Sequence, residues 1–194
     1  MQDNGSWKGP SRIYQSGGIR NSHWQELLFG DGFDVSPHLN DSRFGYAMYQ
    51  GGNVHKYDTK TGRAQYIQPV STDSSLRLRF NWNAGLAQDP FDDCTVYFGS
   101  QFLHKSTNCG DSWEVISPDL TTNDTTKQKQ VESGGLTIDA TQAENFTSII
   151  SIAPSRVKQG VIWVLGLGFE IVEHSATREH STTCNYDFWI VVRS

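Results

Sequence analysis

Long apolar runs are missing from this chain. No segment approaches the roughly 18 consecutive apolar residues that span a bilayer, so no membrane-spanning helix is expected. The first residues, Met1-Gln2-Asp3-Asn4-Gly5-Ser6-Trp7, have neither a basic n-region nor an apolar h-region, so no signal peptide is expected in this segment. Charge is sparse too: 19% of the residues are charged and the net charge is −5, which argues against a nucleic-acid or anionic-membrane partner. Cysteine is scarce. Cys94, Cys109 and Cys184 are odd in number and widely spaced, so neither a disulfide framework nor a zinc pattern is expected, and cysteine usage leaves the compartment open. The chain has no Gly-x-Ser-x-Gly elbow, no His-Glu-x-x-His, no Walker loop and no dinucleotide fingerprint. Its histidines, His23, His38, His55, His104, His174 and His180, show no metal-ligand spacing. No cofactor and no metal are therefore expected.

Aromatics and glycine are plentiful. Aromatic residues reach 12%, six of them Trp, and there are 18 Gly. Aromatic strands punctuated by Gly pairs favour an all-β chain, and no long stripe of 3.6-residue period argues for helices. The stretch from Thr121 to Val131 is polar and reads as a surface loop or short helix.

A repeat runs through the sequence. Asp34-Val35-Ser36-Pro37 is followed by a polar stretch and then Tyr46-Ala47-Met48-Tyr49. Ala87-Gln88-Asp89-Pro90 leads in the same way to Val96-Tyr97-Phe98-Gly99, and Ser151-Ile152-Ala153-Pro154 to Val161-Ile162-Trp163-Val164. Proline suits a strand terminus because it cannot donate to the ladder, and short apolar runs suit strands covered on both faces. The next step repeats as well: Val54-His55-Lys56-Tyr57 enters a hairpin at Gly62, and Leu103-His104-Lys105-Ser106 enters one at Gly110. The shared position of His55 and His104 has a structural reading. The unit is four short antiparallel strands recurring every 40–60 residues or so, the period of propeller blades.

The second of these hairpins, Ser106-Thr107-Asn108-Cys109-Gly110-Asp111-Ser112-Trp113, resembles the Asp-box, Ser-x-Asp-x-Gly-x-Thr-Trp. Gly110 tolerates positive φ, Asn108 offers the turn-capping oxygen of an Asx residue without its charge, Ser106 and Ser112 add hydroxyls, and Trp113 can bury its ring between neighbouring blades. With Gln2-Asp3-Asn4-Gly5-Ser6-Trp7, Gly30-Asp31-Gly32-Phe33-Asp34-Val35, Trp113-Glu114-Val115-Ile116-Ser117-Pro118-Asp119-Leu120-Thr121, Ser133-Gly134-Gly135-Leu136-Thr137, Ala143-Glu144-Asn145-Phe146-Thr147 and Gly160-Val161-Ile162-Trp163-Val164, the chain is similar to the sortilin-type propellers with bacterial-neuraminidase repeats, including bacterial relatives labelled glycosyl-hydrolase-like. The resemblance covers Gln2 to Val164. It implies a partial β-propeller of about three to four four-stranded antiparallel blades, the remainder of a longer propeller as a partner, and an extracytoplasmic or secreted setting. It also implies that Ser106, Asn108, Gly110, Ser112 and Trp113 are structural.

After Val164 the pattern departs. Leu165-Gly166-Leu167-Gly168-Phe169-Glu170 replaces the expected Gly-Thr-Asp-Asp-Gly and a further box, which divides the chain into a propeller segment, 1–164, and an atypical tail, 165–194. A reading-frame change and a family-specific last strand both account for this. Phe188-Trp189-Ile190-Val191-Val192 is strongly β-forming and is expected to cover the open edge of the last blade.

Carboxylates are the realistic catalytic groups. Glycoside hydrolysis needs two, about 5–9.5 Å apart. Asp3, Asp31 and Asp34 sit at turn-like positions that can face a binding surface, but Asp beside Gly is first a turn former. A sialidase-type site needs an Arg cluster with a Tyr nucleophile, and no pattern ties the scattered Arg residues to one. Trp24, Tyr49, Phe80, Trp82 and Phe102 offer a carbohydrate or peptide platform, against a role in blade cores. The expected function is a non-catalytic binding or scaffold module for a peptide, protein or carbohydrate ligand. The alternative is a piece of a glycoside hydrolase of xyloglucanase-like or sialidase-like type; both rest on fold analogy. Triplets of the form Asn-x-Ser/Thr begin at Asn4, Asn40, Asn123 and Asn145.

Overall fold

The computed structural model describes residues 2–129, 143–167 and 190–193. Every sheet in it is an antiparallel meander whose strands neighbour one another in sequence order. The first sheet pairs β1 (Ser6–Lys8) with β2 (Gln25–Leu28). The second runs β3 (Val35–Pro37), β4 (Phe44–Tyr49), β5 (Asn53–Asp58), β6 (Arg63–Tyr66), and the third β7 (Leu86–Gln88), β8 (Val96–Gly99), β9 (Leu103–Ser106), β10 (Glu114–Val115). The fourth holds β11 (Ser148–Pro154), β12 (Val161–Leu167) and β13 (Ile190–Arg193). Two short 3-10 turns, Asn21–His23 and Thr125–Lys127, are the helical segments among the described residues. The chain is all-β.

Strand alternation explains how the sheets stack. Successive side chains of a strand point to opposite faces. In β8, Val96 and Phe98 join a core with Tyr46, Met48, Val54 and Ile67 of the second blade and with Phe80 and Ala84. Tyr97, between them, joins Leu103, Ile149, Ile152, Ile162 and Val164 on the other side. In β4, Ala47 turns instead to Leu27 and Tyr57, against the first sheet. The first strands lie side by side, β3 against β7 and β7 against β11. Four antiparallel sheets, the last three stacked about their first strands and the first joined through β2 against β4, make a partial β-propeller, with two blades of four strands. Close approach is built in at Gly99, where an added Cβ would lie 2.5 Å from the Ile149 side chain.

The tail was expected to differ from Leu165 onward, but β12 keeps its pairing with β11 through Leu167. Beyond it, β13 pairs antiparallel with β12, Ile162 opposite Val192 and Val164 opposite Ile190, so it lies on the edge of the fourth sheet. Residues 168–189, with Cys184, and the Ser133–Thr137 motif lie outside the described residues.

One expectation is corrected. Cys94 and Cys109 form a disulfide, with Cα atoms 4.3 Å apart. Spacing in sequence concealed this because the β8–β9 hairpin folds the chain back, placing Val96 opposite Ser106. The cysteines then flank the open end of that hairpin, where Cys109 N donates to Cys94 O at 2.8 Å.

Within the same hairpin, His104 is 2% exposed and its Nε2 lies 2.8 Å from Ser100 Oγ. Burial disfavours the charged ring and pushes its pKa down to about 4.

Two outcomes follow for stability. The double variant Cys94→Ser/Cys109→Ser should lose about 3 kcal/mol, the chain-entropy value for a loop of this length, read from urea midpoints of the oxidised protein and the variant. Because the folded-state pKa of His104 lies below the ordinary value of 6.5, the unfolded chain takes up more protons between about pH 6.5 and 4. Stability is full above that window and falls as pH drops through it, by about 2 kcal/mol at pH 5. His104→Gln should flatten the pH dependence of Tm over that window; an unchanged slope would show that other groups control it.

Candidate functional site

The two ends of the blades differ in what their loops carry. At one end lie the loops that enter β3, β7 and β11, together with the β4–β5 and β8–β9 turns. Gln50, in the β4–β5 turn, accepts a hydrogen bond from Asp31 N at 3.0 Å. Gln101, in the β8–β9 turn, accepts one from Arg79 N at 2.8 Å and donates to Arg77 O at 3.0 Å. Arg79 itself is nearly buried; its guanidinium reaches Asp119 Oδ2 at 3.0 Å, Thr121 Oγ1 at 3.1 Å and Thr147 O at 3.0 Å.

Between the second and third blades these loops enclose an open cleft of about 460 Å³. Its lining includes Asn53, Gln68, Asp73, Arg77, Phe80 and Asn145. Gln68 is fixed by donating to Gly51 O at 3.0 Å and Gly52 O at 2.8 Å, and its Oε1 accepts from the Tyr66 hydroxyl. Asn53 donates to Gln50 O at 2.6 Å, and Asn145 to Phe80 O at 2.6 Å. Asp73 is the carboxylate of this cleft. Its Oδ1 accepts from Ser75 Oγ at 2.7 Å and Ser75 N at 2.8 Å, and these bonds, the side-chain one foremost, hold its pKa below the ordinary range.

None of the three carboxylates singled out from sequence lines that cleft. Asp31 is buried and its Oδ1 accepts from Asp3 N at 2.7 Å; Asp3 sits at φ 56° in the turn before β1. The structure therefore brings Asp3 and Asp31 together as a turn and its cap. Asp34 lies at the entry to β3, where its backbone carbonyl accepts from Met48 N at 3.0 Å. Its side chain stays exposed at the rim, yet the surrounding protein mass raises its pKa by desolvation, which a hydrogen bond with Asn83 partly offsets. Close by, the Phe33 and Trp82 rings sit 6.2 Å apart. Of the other aromatics considered as a platform, Phe80 is core and Trp24 is 47% exposed. The cleft amides were not picked out from sequence, because single Asn and Gln residues in loops form no motif.

The Ser106–Trp113 hairpin occupies the other end. Ser106 is buried; its Oγ accepts from Gly110 N at 2.8 Å and donates to Asn108 Oδ1 at 2.8 Å. Asn108 Oδ1 also accepts from Ser112 N at 2.9 Å, while its Nδ2 donates to Ser112 Oγ at 2.9 Å. Trp113 is half-buried, stacks 6.0 Å from Phe98, and donates its indole N–H to Ile67 O of the preceding blade at 2.6 Å. A matching turn closes β5–β6: Asp58 accepts from Lys60 N at 2.9 Å and Thr61 Oγ1 at 3.0 Å. It also takes a two-pronged pair from Arg43 at 2.6 Å, the largest of the contacts that hold its pKa well below the ordinary range. A smaller depression at this end, about 310 Å³, contains Asp89, Asp92, Tyr97 and Lys105. There Asp89 Oδ2 accepts from the Tyr97 hydroxyl at 2.7 Å, Asp89 Oδ1 from Phe91 N, and Asp92 from Cys94 N. Among the described residues no group of three or more His, Cys, Asp or Glu is placed to hold a metal, and no helix is long and apolar enough to cross a membrane.

No protein-family model matches the chain, and no curated protein does. Among solved structures it is similar to the GH74 xyloglucanase from Xanthomonas campestris, at 13% identity and a TM-score of 0.45, over 75% of this chain. The chain spans 21% of the length of that protein.

The hairpin network predicts separable losses. Asn108→Ala removes the acceptor for Ser112 N and should cost about 1 kcal/mol. Trp113→Ala removes inter-blade packing and the bond to Ile67 and should cost about 3 kcal/mol. Denaturant midpoints give both, and equal losses would mean that Trp113 does not bridge the blades.

Proposed function

We propose that this chain is the carbohydrate-binding part of a larger propeller and is non-catalytic by itself. The observation that carries this reading is the cleft between the second and third blades: amide side chains fixed by backbone bonds, one arginine, an apolar wall at Phe80, and a carboxylate already engaged by Ser75. Preset amides with an apolar surface suit ligands rich in neutral hydroxyl groups. Hydrolysis of a glycoside needs two carboxylates facing each other across the sugar, and the lining of this cleft holds a single one, Asp73. The first sheet has two strands where the next two have four, which supports assembly with further blade strands.

A second reading, a piece of a glycoside hydrolase, is favoured by Asp34. Its carboxyl is raised by desolvation, the direction a general acid requires. In that case a second carboxylate must face Asp34 across the sugar.

Calorimetry with a panel of neutral β-glucan oligosaccharides tests the first reading. Binding should be measurable and weakened about tenfold, roughly 1.4 kcal/mol, by Gln68→Ala at an unchanged circular dichroism spectrum, with no release of reducing ends. Absence of binding to the whole panel would defeat it. Hydrolysis that disappears in Asp34→Asn would replace it with the second reading.

A further inference from the structure

The chain carries four Asn-x-Ser/Thr triplets, and the fold treats them differently. Asn145 is 8% exposed and its Nδ2 donates to Phe80 O at 2.6 Å across the cleft wall; Thr147, the third residue of that triplet, is fully buried. A glycan there would displace the backbone bond and could not be housed. Asn4 donates its Nδ2 to Gln2 O at 2.7 Å, and its hydroxyl partner, Ser6, is 5% exposed. Asn40 donates its Nδ2 to Asp93 Oδ1 at 2.5 Å, a link from the second blade to the third.

Asn123 is different. It lies on the surface with Thr125, just before and within the 3-10 turn Thr125–Lys127. Its Oδ1 accepts from Gln128 Nε2 at 2.9 Å, and Gln128 is itself anchored to Thr147 Oγ1 at 3.0 Å. A planar carboxamide with its oxygen held inward presents its nitrogen outward, and among the described residues nothing accepts a hydrogen bond from Asn123 Nδ2. The backbone there has φ 48°, a turn conformation that Asn tolerates. An independent feature bears on the compartment: the Cys94–Cys109 disulfide is a mark of chains that mature where thiols are oxidised, which is also where asparagine is glycosylated.

We propose that Asn123 is an N-glycosylation acceptor and that Asn145 is not. The donor is an oligosaccharide linked to a lipid pyrophosphate. The Asn123 amide nitrogen forms the bond to C1 of the first sugar, the C1–oxygen bond to pyrophosphate breaks, and the lipid pyrophosphate leaves while the amide loses one proton to the catalyst's base. Thr125 supplies the hydroxyl by which the triplet is read. The glycan would project from the loop ahead of β11, leaving the blade interfaces untouched.

The test uses the full chain behind a cleavable secretory leader in a eukaryotic host, with lysate and medium both collected. Glycan release by an amidase that converts the acceptor Asn to Asp, followed by peptide mass mapping, reports occupancy at all four triplets, and the same digest reports the Cys94–Cys109 bond. Asn123 should be the most occupied site, Asn145 should be empty in disulfide-bonded protein, and Asn123→Gln and Thr125→Ala should each remove the same mobility shift. An unmodified Asn123, higher occupancy at Asn4 or Asn40, or a glycan on Asn145 in disulfide-bonded protein would overturn the assignment. Because occupancy is read in lysate as well as medium, a variant that folds poorly still reports on its triplet.

Discussion

Strand β8 is buried along its whole length on both sides, and the stacking of the other sheets follows from that constraint. Val96 and Phe98 need apolar cover on one face and Tyr97 on the other. Full burial of one such side chain is worth about 1.5–3 kcal/mol, and a lone sheet would leave half of them wet. Neighbouring sheets must therefore lie against both faces. Each strand pair adds right-handed twist, and the first strands β3, β7 and β11 sit side by side at the hub of the stack. Glycine at position 99 allows β8 to come close to Ile149, so the third and fourth sheets meet without a gap.

Apolar stacking sets no register between sheets, and polar contacts supply it. Arg79 gathers Asp119, Thr121 and the Thr147 carbonyl from two distant stretches of chain while nearly buried. Removing one member of such a set leaves an uncompensated group out of water, which is costly. The Trp113 indole does similar work between blades by reaching Ile67 O. Lys56 and Asp111 add an ion pair at 2.6 Å between the same two blades, but half of the aspartate is exposed and such pairs contribute little.

The division between the two ends of the blades bears on chemistry. At the end that carries the Ser106–Trp113 hairpin, the carboxylates of Asp58, Asp89 and Asp92 are taken up by their own turns. At the cleft end the loops present amides held by backbone atoms. Rigid strands carrying variable loops are the usual arrangement for ligand sites, which is why the proposed binding role rests on the cleft end and on side chains no motif announces.

Several features were legible in the sequence for physical reasons. Short apolar runs, Pro at strand ends and Gly-bearing hairpins are local signals, and they located β4, β5, β8, β9 and β11 to within a residue or two. The tertiary structure alone decided what depends on residues far apart. It brought Cys94 to Cys109 by folding the β8–β9 hairpin, against the expectation from spacing. It set Asp3 against Asp31 and left both outside the cleft. It also chose between triplets of the same Asn-x-Thr form, burying Asn145 and leaving Asn123 exposed. A periodic pattern records which face of a strand is apolar. Which loop that face brings near another is a property of the stacked sheets, and it is not written at any single position of the chain.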